Sequence, residues 1–264
     1  MTQFTDIAVQ TQGHVGLIEI RRPPHNFFDM SLIKQIADAC EGYDRDSNIR
    51  AVVISAQGKS FCAGANFGDG SKLDAQGNRP NENQMGGHLY QEAVRLFRTR
   101  KPIVGAIQGP AIGGGLGLAL VPDFRVACPE SRFAANFTRL GFHPGFGLTY
   151  TLPRLIGDQQ ANLMFYTGRR LNGEEALKIG LADVLVGSAA ETLPAAIKLA
   201  NDISESAPLA VQETRATVRK GMADAVRAAT DHELKIQSEL RQTEDFREGV
   251  KAVAERRVAN FKGR

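Results

Sequence analysis

The stretch Gly109-Pro110-Ala111-Ile112-Gly113-Gly114-Gly115-Leu116-Gly117, taken with Phe61-Cys62-Ala63-Gly64-Ala65-Asn66, carries the densest signal in the chain. Just upstream of the first stretch, residues 103–107 form an apolar run behind Pro102 and read as a buried strand, because proline ends the helical periodicity of residues 89–98. Three consecutive glycines then lead toward Leu116, Leu118, Ala119 and Leu120, the opening of an apolar helix. Small residues at such a strand-to-helix turn leave backbone N–H groups bare. Two such donors converging on one oxygen form an oxyanion hole, which holds the negative charge that develops on a carbonyl and is often the largest catalytic term available. The competing structural reading is that the glycines only permit a helix to pack tightly on a strand.

On either side, β-branched runs at 15–20 and 51–54 read as strands, and 31–43 as an amphipathic helix with Ser31 as N-cap, so the chain opens β-α-β. Residues 68–87 are rich in Gly, Asn, Gln and Asp with few apolar anchors, the composition of a long mobile loop of the kind that covers a site. Strand character returns at 124–127. After Phe133 the pattern is irregular, with Gly141, Pro144, Gly145 and Gly147 preceding a helix at 148–156. Helical periodicity then recurs at 174–179, 193–203, 209–228, 232–240 and 246–258. The expectation is an α/β core with a helical C-terminal third, without a repeat of 20 to 50 residues.

Composition narrows the class. The 264 residues are 42% hydrophobic and 23% charged, which excludes collagen-like and wholly disordered chains. Thirty-two basic against 29 acidic residues give a net charge of +3, short of a nucleic-acid binder's excess but compatible with anionic small molecules. Cys40, Cys62 and Cys128 are too few and scattered for a disulfide framework, and no Cys-x-x-Cys exists for zinc. The apolar stretch 103–121 is broken by six glycines, a proline and Gln108, a poor bilayer span. The opening residues carry no leader pattern, so the expected address is cytoplasmic.

Several tempting motifs fail on spacing. Gly58-Lys59-Ser60 ends like a P-loop, but the required upstream glycine is Val53. The run at Gly113, Gly115 and Gly117 lacks the third glycine of a dinucleotide fingerprint, holding Leu118 or Leu120 there. Neither a Gly-x-Ser-x-Gly elbow nor a His-Glu-x-x-His pair is present, and Ser31-x-x-Lys34 stands without its partner motifs.

With these residues in view the chain resembles the crotonase superfamily, also called the enoyl-CoA hydratase/isomerase family. The resemblance runs through Arg22-Pro23 with Asn26 and Met30, residues 61–66 and 101–117, Asp123-Phe124-Arg125-Val126-Ala127, and Leu140-Gly141 through Gly157. It continues through Thr167-Gly168 and Gly180-Leu181-Ala182-Asp183 to Glu248-Gly249 and Glu255-Arg256-Arg257 in the tail. It implies a crotonase (ClpP-like) β-β-α superhelix, with residues 1–200 as the acyl-CoA-binding core and 201–264 as a helical region making trimer contacts, trimers often pairing into hexamers. It also implies an acyl-CoA thioester as partner and coenzyme A only as part of that substrate, with no separate cofactor and no metal. By the same resemblance Ala65 and Gly114 supply the oxyanion-hole amides, and the head of the helix adds its dipole to the attraction. CoA would thread along Ala63, Ala65, Asn66 and Phe67 with Arg22 near the nucleotide, and Phe261 and Lys262 of a neighbouring subunit would reach its adenine and phosphates.

The departures define the chemistry to expect. In family hydratases one glutamate follows the glycine run and a second stands twenty residues later; here those positions hold Gly117 and Phe137, and neither transfers a proton. A general acid or base is worth about 10² to 10⁴-fold, so hydration by the two-glutamate route is not expected. The family's aspartate after Gly-Ala is Asn66. His143, of a side-chain type that can serve as either acid or base, is the first replacement. His88 with Glu92 at i, i+4 follows it, against the plain reading of an exposed helix pair, while Asp69 and Asp74 read as solvated loop residues. Phe27, Phe28, Phe67, Phe137, Phe142 and Phe146 would make the substrate pocket aromatic. Two function classes remain: an acyl-CoA lyase, isomerase or hydrolase with nonstandard acid/base residues, and a catalytically silent CoA-thioester binder. An unrelated anion-binding structural protein is a third.

Overall fold

The computed structural model describes residues 4–66 and 89–264. The expected loop at 68–87 therefore lies outside the described residues, as do Phe67, Asp69, Asp74 and His88. A six-stranded sheet in the order β1-β2-β3-β4-β6-β9 forms the centre: β1 (Ile7–Gln12), β2 (Val15–Ile20), β3 (Ala51–Ala56), β4 (Ile103–Ile107), β6 (Phe124–Ala127) and β9 (Val184–Leu185). β1 and β2 are antiparallel, joined at Gly13 and His14; every other pair is parallel. The parallel strands read as continuous apolar runs because both faces are covered. Val52 and Ile54 join the core under α1 (Met30–Arg45), whereas Val53, Val104 and Val126 meet Ala196 and Ala200 of α7 (Ala189–Ser204) on the opposite face.

A second sheet of three short strands, β5 (Pro110–Ile112), β7 (Arg132–Ala134) and β8 (Arg170–Asn172), lies beside the first. α2 (Leu89–Phe97) packs on α1, and α3 (Gly114–Ala119) follows the glycine run. α4 (Leu148–Ile156), α5 (Asp158–Thr167) and α6 (Gly173–Lys178) complete the core region, with a 3-10 turn at Asn136–Leu140 before them. The C-terminal helices are α8 (Pro208–Val218), α9 (Met222–Leu240) and α10 (Glu244–Ala254). α9 crosses α2 and α4, α10 sits on the 3-10 turn, and Val226 and Phe246 share the main core with the strands. No helix among the described residues is long and apolar enough to cross a membrane.

The architecture is the mixed α/β one expected, with corrections in detail. α1 is capped by Asp29, whose carboxylate accepts from Leu32 N at 3.0 Å, and Ser31 lies inside the helix. The helix expected at 209–228 divides at Gly221, whose φ of +76° stops one helix and opens the next.

Buried charges tie the parts together. Arg125, 2% exposed, donates to the carbonyls of Pro122 and Leu181 and to Asp183 at 2.9 Å. Asp123 accepts from Ile103 N and pairs with Arg215 and Arg219 of the α8 segment at 2.8 and 2.7 Å. Lys101 donates to the carbonyls of Tyr43 and Asp46. The family-like residues Lys101, Asp123, Arg125 and Asp183 thus hold the frame together.

Candidate active site

β3 and β4 are parallel neighbours, Val53 facing Val104, so the chain leaves both at the same sheet edge. Ligands of open parallel sheets gather beyond that carboxyl end. Residues 57–66 and 108–117 emerge there side by side and are stitched by Cys62 N to Pro110 O at 3.1 Å and Ile112 N to Cys62 O at 3.0 Å. Ala63 N donates to His25 O, and Phe28 N to Gly64 O, each at 3.0 Å, so the β2–α1 connection closes a third side. Gly113, at φ +58° and ψ −123°, adopts a backbone that a side chain would strain, and turns the chain into α3. A Cβ on Gly115 would stand 1.9 Å from Cys62 O. Close packing therefore demands these glycines, and Ala65 and Gly114 both line one cavity. Neither amide N–H donates to a described residue.

That cavity has a volume of about 400 Å³ and a largely apolar wall, including Phe27, Phe28, Leu89, Phe137, Leu140 and Phe142. Behind them the rings interlock: Phe28 lies 5.7 Å from Phe146, and Phe142 lies 5.4 Å from both Phe137 and Phe246. Phe137 faces the cavity, as the sequence led one to expect of an aromatic pocket. Gly117 is placed differently. A Cβ there would come 2.6 Å from Phe146 Cβ, so the Phe146 side chain fills the volume a residue-117 side chain would use. Gly117 is not among the lining residues.

The polar lining consists of Asn66, Tyr90, Asn136, Arg170, Gln237 and Arg241, with no carboxylate or histidine among the described lining residues. Tyr90 Oη donates to Gln237 Oε1 at 3.0 Å, and Gln237 Nε2 donates to His143 O at 2.8 Å. Burial, reinforced by the Glu233 charge, pushes the Tyr90 phenol above its ordinary range, so it stays protonated. The Asn136 amide reaches to 3.5 Å from where a Gly113 Cβ would stand, beside the head of α3.

His143 lies off the lining. Its Nδ1 is 2.8 Å from Pro144 O, and its ring meets that of His232 on α9 at 6.0 Å, while its carbonyl holds Gln237. Nearby, fully buried Glu233 accepts from Gly147 N at 2.7 Å, Thr149 N at 3.0 Å and Thr149 Oγ1 at 2.6 Å, capping α4 from α9. Burial raises its carboxyl pKa against those hydrogen bonds. The Cys62 thiol is pushed up to about 12 by burial, which leaves it protonated and unfit as a nucleophile.

The remaining expected residues fall at the edges. Arg22 is clamped by Asp6 at 2.7 Å and Asp29 at 2.8 Å, one residue from the cavity-lining Phe28, and does not itself line the cavity. Glu92 pairs with Arg95. Lys262 N and Gly263 N donate to the Asp245 carboxylate at 2.6 and 2.7 Å, folding the tail over the start of α10 in its own chain, with Phe261 39% exposed. Sequence reasoning passed over Tyr90, Asn136, Arg170, Gln237 and Arg241. Gln237 and Arg241 are one helical turn apart on α9, a spacing that every surface helix also offers, so nothing local marks them.

Comparison with known proteins agrees with this architecture. The family model described as enoyl-CoA hydratase/isomerase matches residues 10–264. A crotonyl-CoA hydratase of Syntrophomonas wolfei is 33% identical over 261 residues, covering 98% of both chains. A carnitinyl-CoA dehydratase of Proteus mirabilis is also 33% identical, covering 96% of this chain and 97% of its own. The crystal structure of an enoyl-CoA hydratase/isomerase from Pseudoalteromonas atlantica superposes with a TM-score of 0.83 at 28% identity, over 98% of this chain and all of that one. The fold is that of the crotonases. The chain belongs to the enoyl-CoA hydratase/isomerase family.

Proposed function

We propose that the protein is an acyl-CoA-processing enzyme that seats a thioester carbonyl between Ala65 N–H and Gly114 N–H and stabilises the enolate formed there. The observation that supports this reading is that Ala65 and Gly114, from separate turns, both line one aromatic cavity and that neither backbone N–H donates to a described residue. Charge developing on the oxygen would meet fixed donors already desolvated, the arrangement in which such bonds are worth most. Isomerisation, thioester or carbon–carbon hydrolysis and decarboxylation all draw on the same hole for the charge that develops on the carbonyl oxygen. Two-glutamate hydration does not fit Gly117 and Phe137. The proton carrier we assign is His143, which must swing its ring from His232 to reach substrate; Tyr90, kept protonated on the lining, is the alternative donor.

Coenzyme A belongs to the substrate in this reading. Residues 201–264 supply contacts for a homo-trimer or hexamer, the address is cytoplasmic, and light scattering at the monomer mass would refute the assembly.

The second reading is a silent CoA-thioester binder, favoured by Phe146 filling the space beside Gly117. A panel of acyl-CoAs assayed for binding and turnover separates the two. The enzyme reading expects saturable binding, conversion of at least one thioester that falls on His143→Ala or Tyr90→Phe, and negligible hydration of crotonyl-CoA. Binding without any product would support the silent reading, and crotonyl-CoA hydration at the rate of two-glutamate enzymes would overturn the proton-transfer assignment.

A further inference from the structure

Among the described residues, the cavity lining holds two arginines without an ion pair, exposed Arg170 and half-buried Arg241. Arg241, the C-terminal cap of α9, is half-buried; its Nε is shielded from solvent and has no hydrogen-bond partner, and its guanidinium enters no ion pair among the described residues. Elsewhere the chain treats buried guanidinium groups as physics requires: Arg125 has four protein acceptors and Arg215 has Asp123. Arg219 also keeps two orphan nitrogens, yet holds Asp123; Arg169 has one but does not line the cavity. A helix C-terminus favours a cation at residue 241, which accounts for the charge there but leaves its donors unfilled.

Placement says what the charge faces. Ala63, Ala65 and Asn66, with Phe27 and Phe28, reach the lining from the chain before α1 and after β3, whereas Gln237 and Arg241 come from the end of α9 and Val250 and Val253 from α10. A thioester seated at Ala65 and Gly114 would share this cavity with residues of α9 and α10. An acyl chain in it would have the Arg241 guanidinium on its lining, the group best shaped to take a carboxylate through paired N–H donors. A plain alkyl chain would bury against that charge with nothing to satisfy it. Arg170, exposed at the rim, is free to serve solvent or phosphate instead.

We infer that Arg241 is a specificity-determining residue and that the substrate is an acyl-CoA whose acyl chain ends in a carboxylate. The inference rests on the acyl-CoA reading above. Its test is calorimetric titration of wild type, Arg241→Lys and Arg241→Leu with CoA, with the neutral thioesters butyryl-, pentanoyl- and hexanoyl-CoA, and with their chain-length counterparts succinyl-, glutaryl- and adipyl-CoA. Wild type should bind one of the carboxylated thioesters about tenfold or more tighter than its neutral counterpart. R241L should erase that preference and leave CoA affinity unchanged, with R241K intermediate. A wild-type enzyme that binds neutral chains as tightly as carboxylated ones overturns the assignment, whatever the variants do. So does an R241L variant that loses affinity equally for CoA itself, since the arginine would then be holding a phosphate. Failure of every thioester to bind removes the underlying reading together with this one, and is told apart by the neutral arm.

Discussion

Glycines that look alike in sequence fail for different reasons when given a methyl group. At Gly115 the new Cβ would lie 1.9 Å from a backbone oxygen, Cys62 O, which is pinned by Ile112 N and cannot step aside. At Gly114 it would lie 2.3 Å from the far edge of the Phe28 ring, which can turn at a cost. Overpacking typically costs 1–3 kcal/mol, more where backbone must move. Gly115→Ala is therefore expected to lower thermal stability sharply or abolish soluble expression. Gly114→Ala is expected to fold, yet lose about 10²-fold or more in turnover because the displaced ring and shifted amide spoil the donor geometry. Parallel melts and acyl-CoA kinetics on the two variants check this, and equal stability loss in both would refute it. The glycine run, and Gly117 and Phe137 as residues without a titratable group, were legible in the sequence because they are local facts. That Phe146 occupies the volume beside Gly117 was not, since it depends on a turn at Gly145 and Gly147 folding back onto α3.

Between elements, α4 hangs on a side chain from another helix. Gly147, at the head of α4, offers no capping oxygen of its own; Glu233 of α9 reaches over and accepts from Gly147 N, Thr149 N and Thr149 Oγ1. Glu233→Ala leaves buried donors unanswered and should cost about 3 kcal/mol or more. The pH dependence has a definite sign. Burial raises the carboxyl pKa above its ordinary 4.5, so the folded state prefers the protonated form; the contribution of Glu233 is largest below the unfolded value and is lost as pH rises to the folded one. Denaturant melts of wild type and Glu233→Gln should show the stability difference shrinking in the wild type's disfavour from about pH 4 upward. A difference flat with pH would mean the carboxyl is not shifted. Such a cap is invisible in one dimension: Glu233 and Thr149 are 84 residues apart, and the periodicity of α9 reports only that this face is buried. The short strands β5, β7 and β8 escaped for a similar reason, being three residues each, too brief for an alternation to register.

At the scale of the whole molecule, the cavity is completed by chain that arrives last. α9 and α10 bring Gln237, Arg241, Val250 and Val253 to the cavity that Ala65 and Gly114 also line. The sequence announced helices there, but amphipathic periodicity says which face is covered and never by what. α10 is seated at two points: Phe246, 5% exposed, stands edge-on to Phe142 at 5.4 Å, and Gly249 lies so close to the 3-10 turn that a Cβ would come 2.5 Å from the Leu140 carbonyl carbon. Phe142 in turn stacks on Phe137, so the seat of α10 and the cavity wall are one packed unit. Phe246→Ala empties the first contact and should cost about 3–5 kcal/mol. Gly249→Ala wedges the second and should tilt α10 away with less loss of core. Neither residue lines the cavity, yet both variants are expected to weaken acyl-CoA binding several-fold, because Val250 and Val253 ride on the helix being displaced. Titrations paired with melts decide it: stability lost with affinity intact would mean that α10 packs beside the site without forming it.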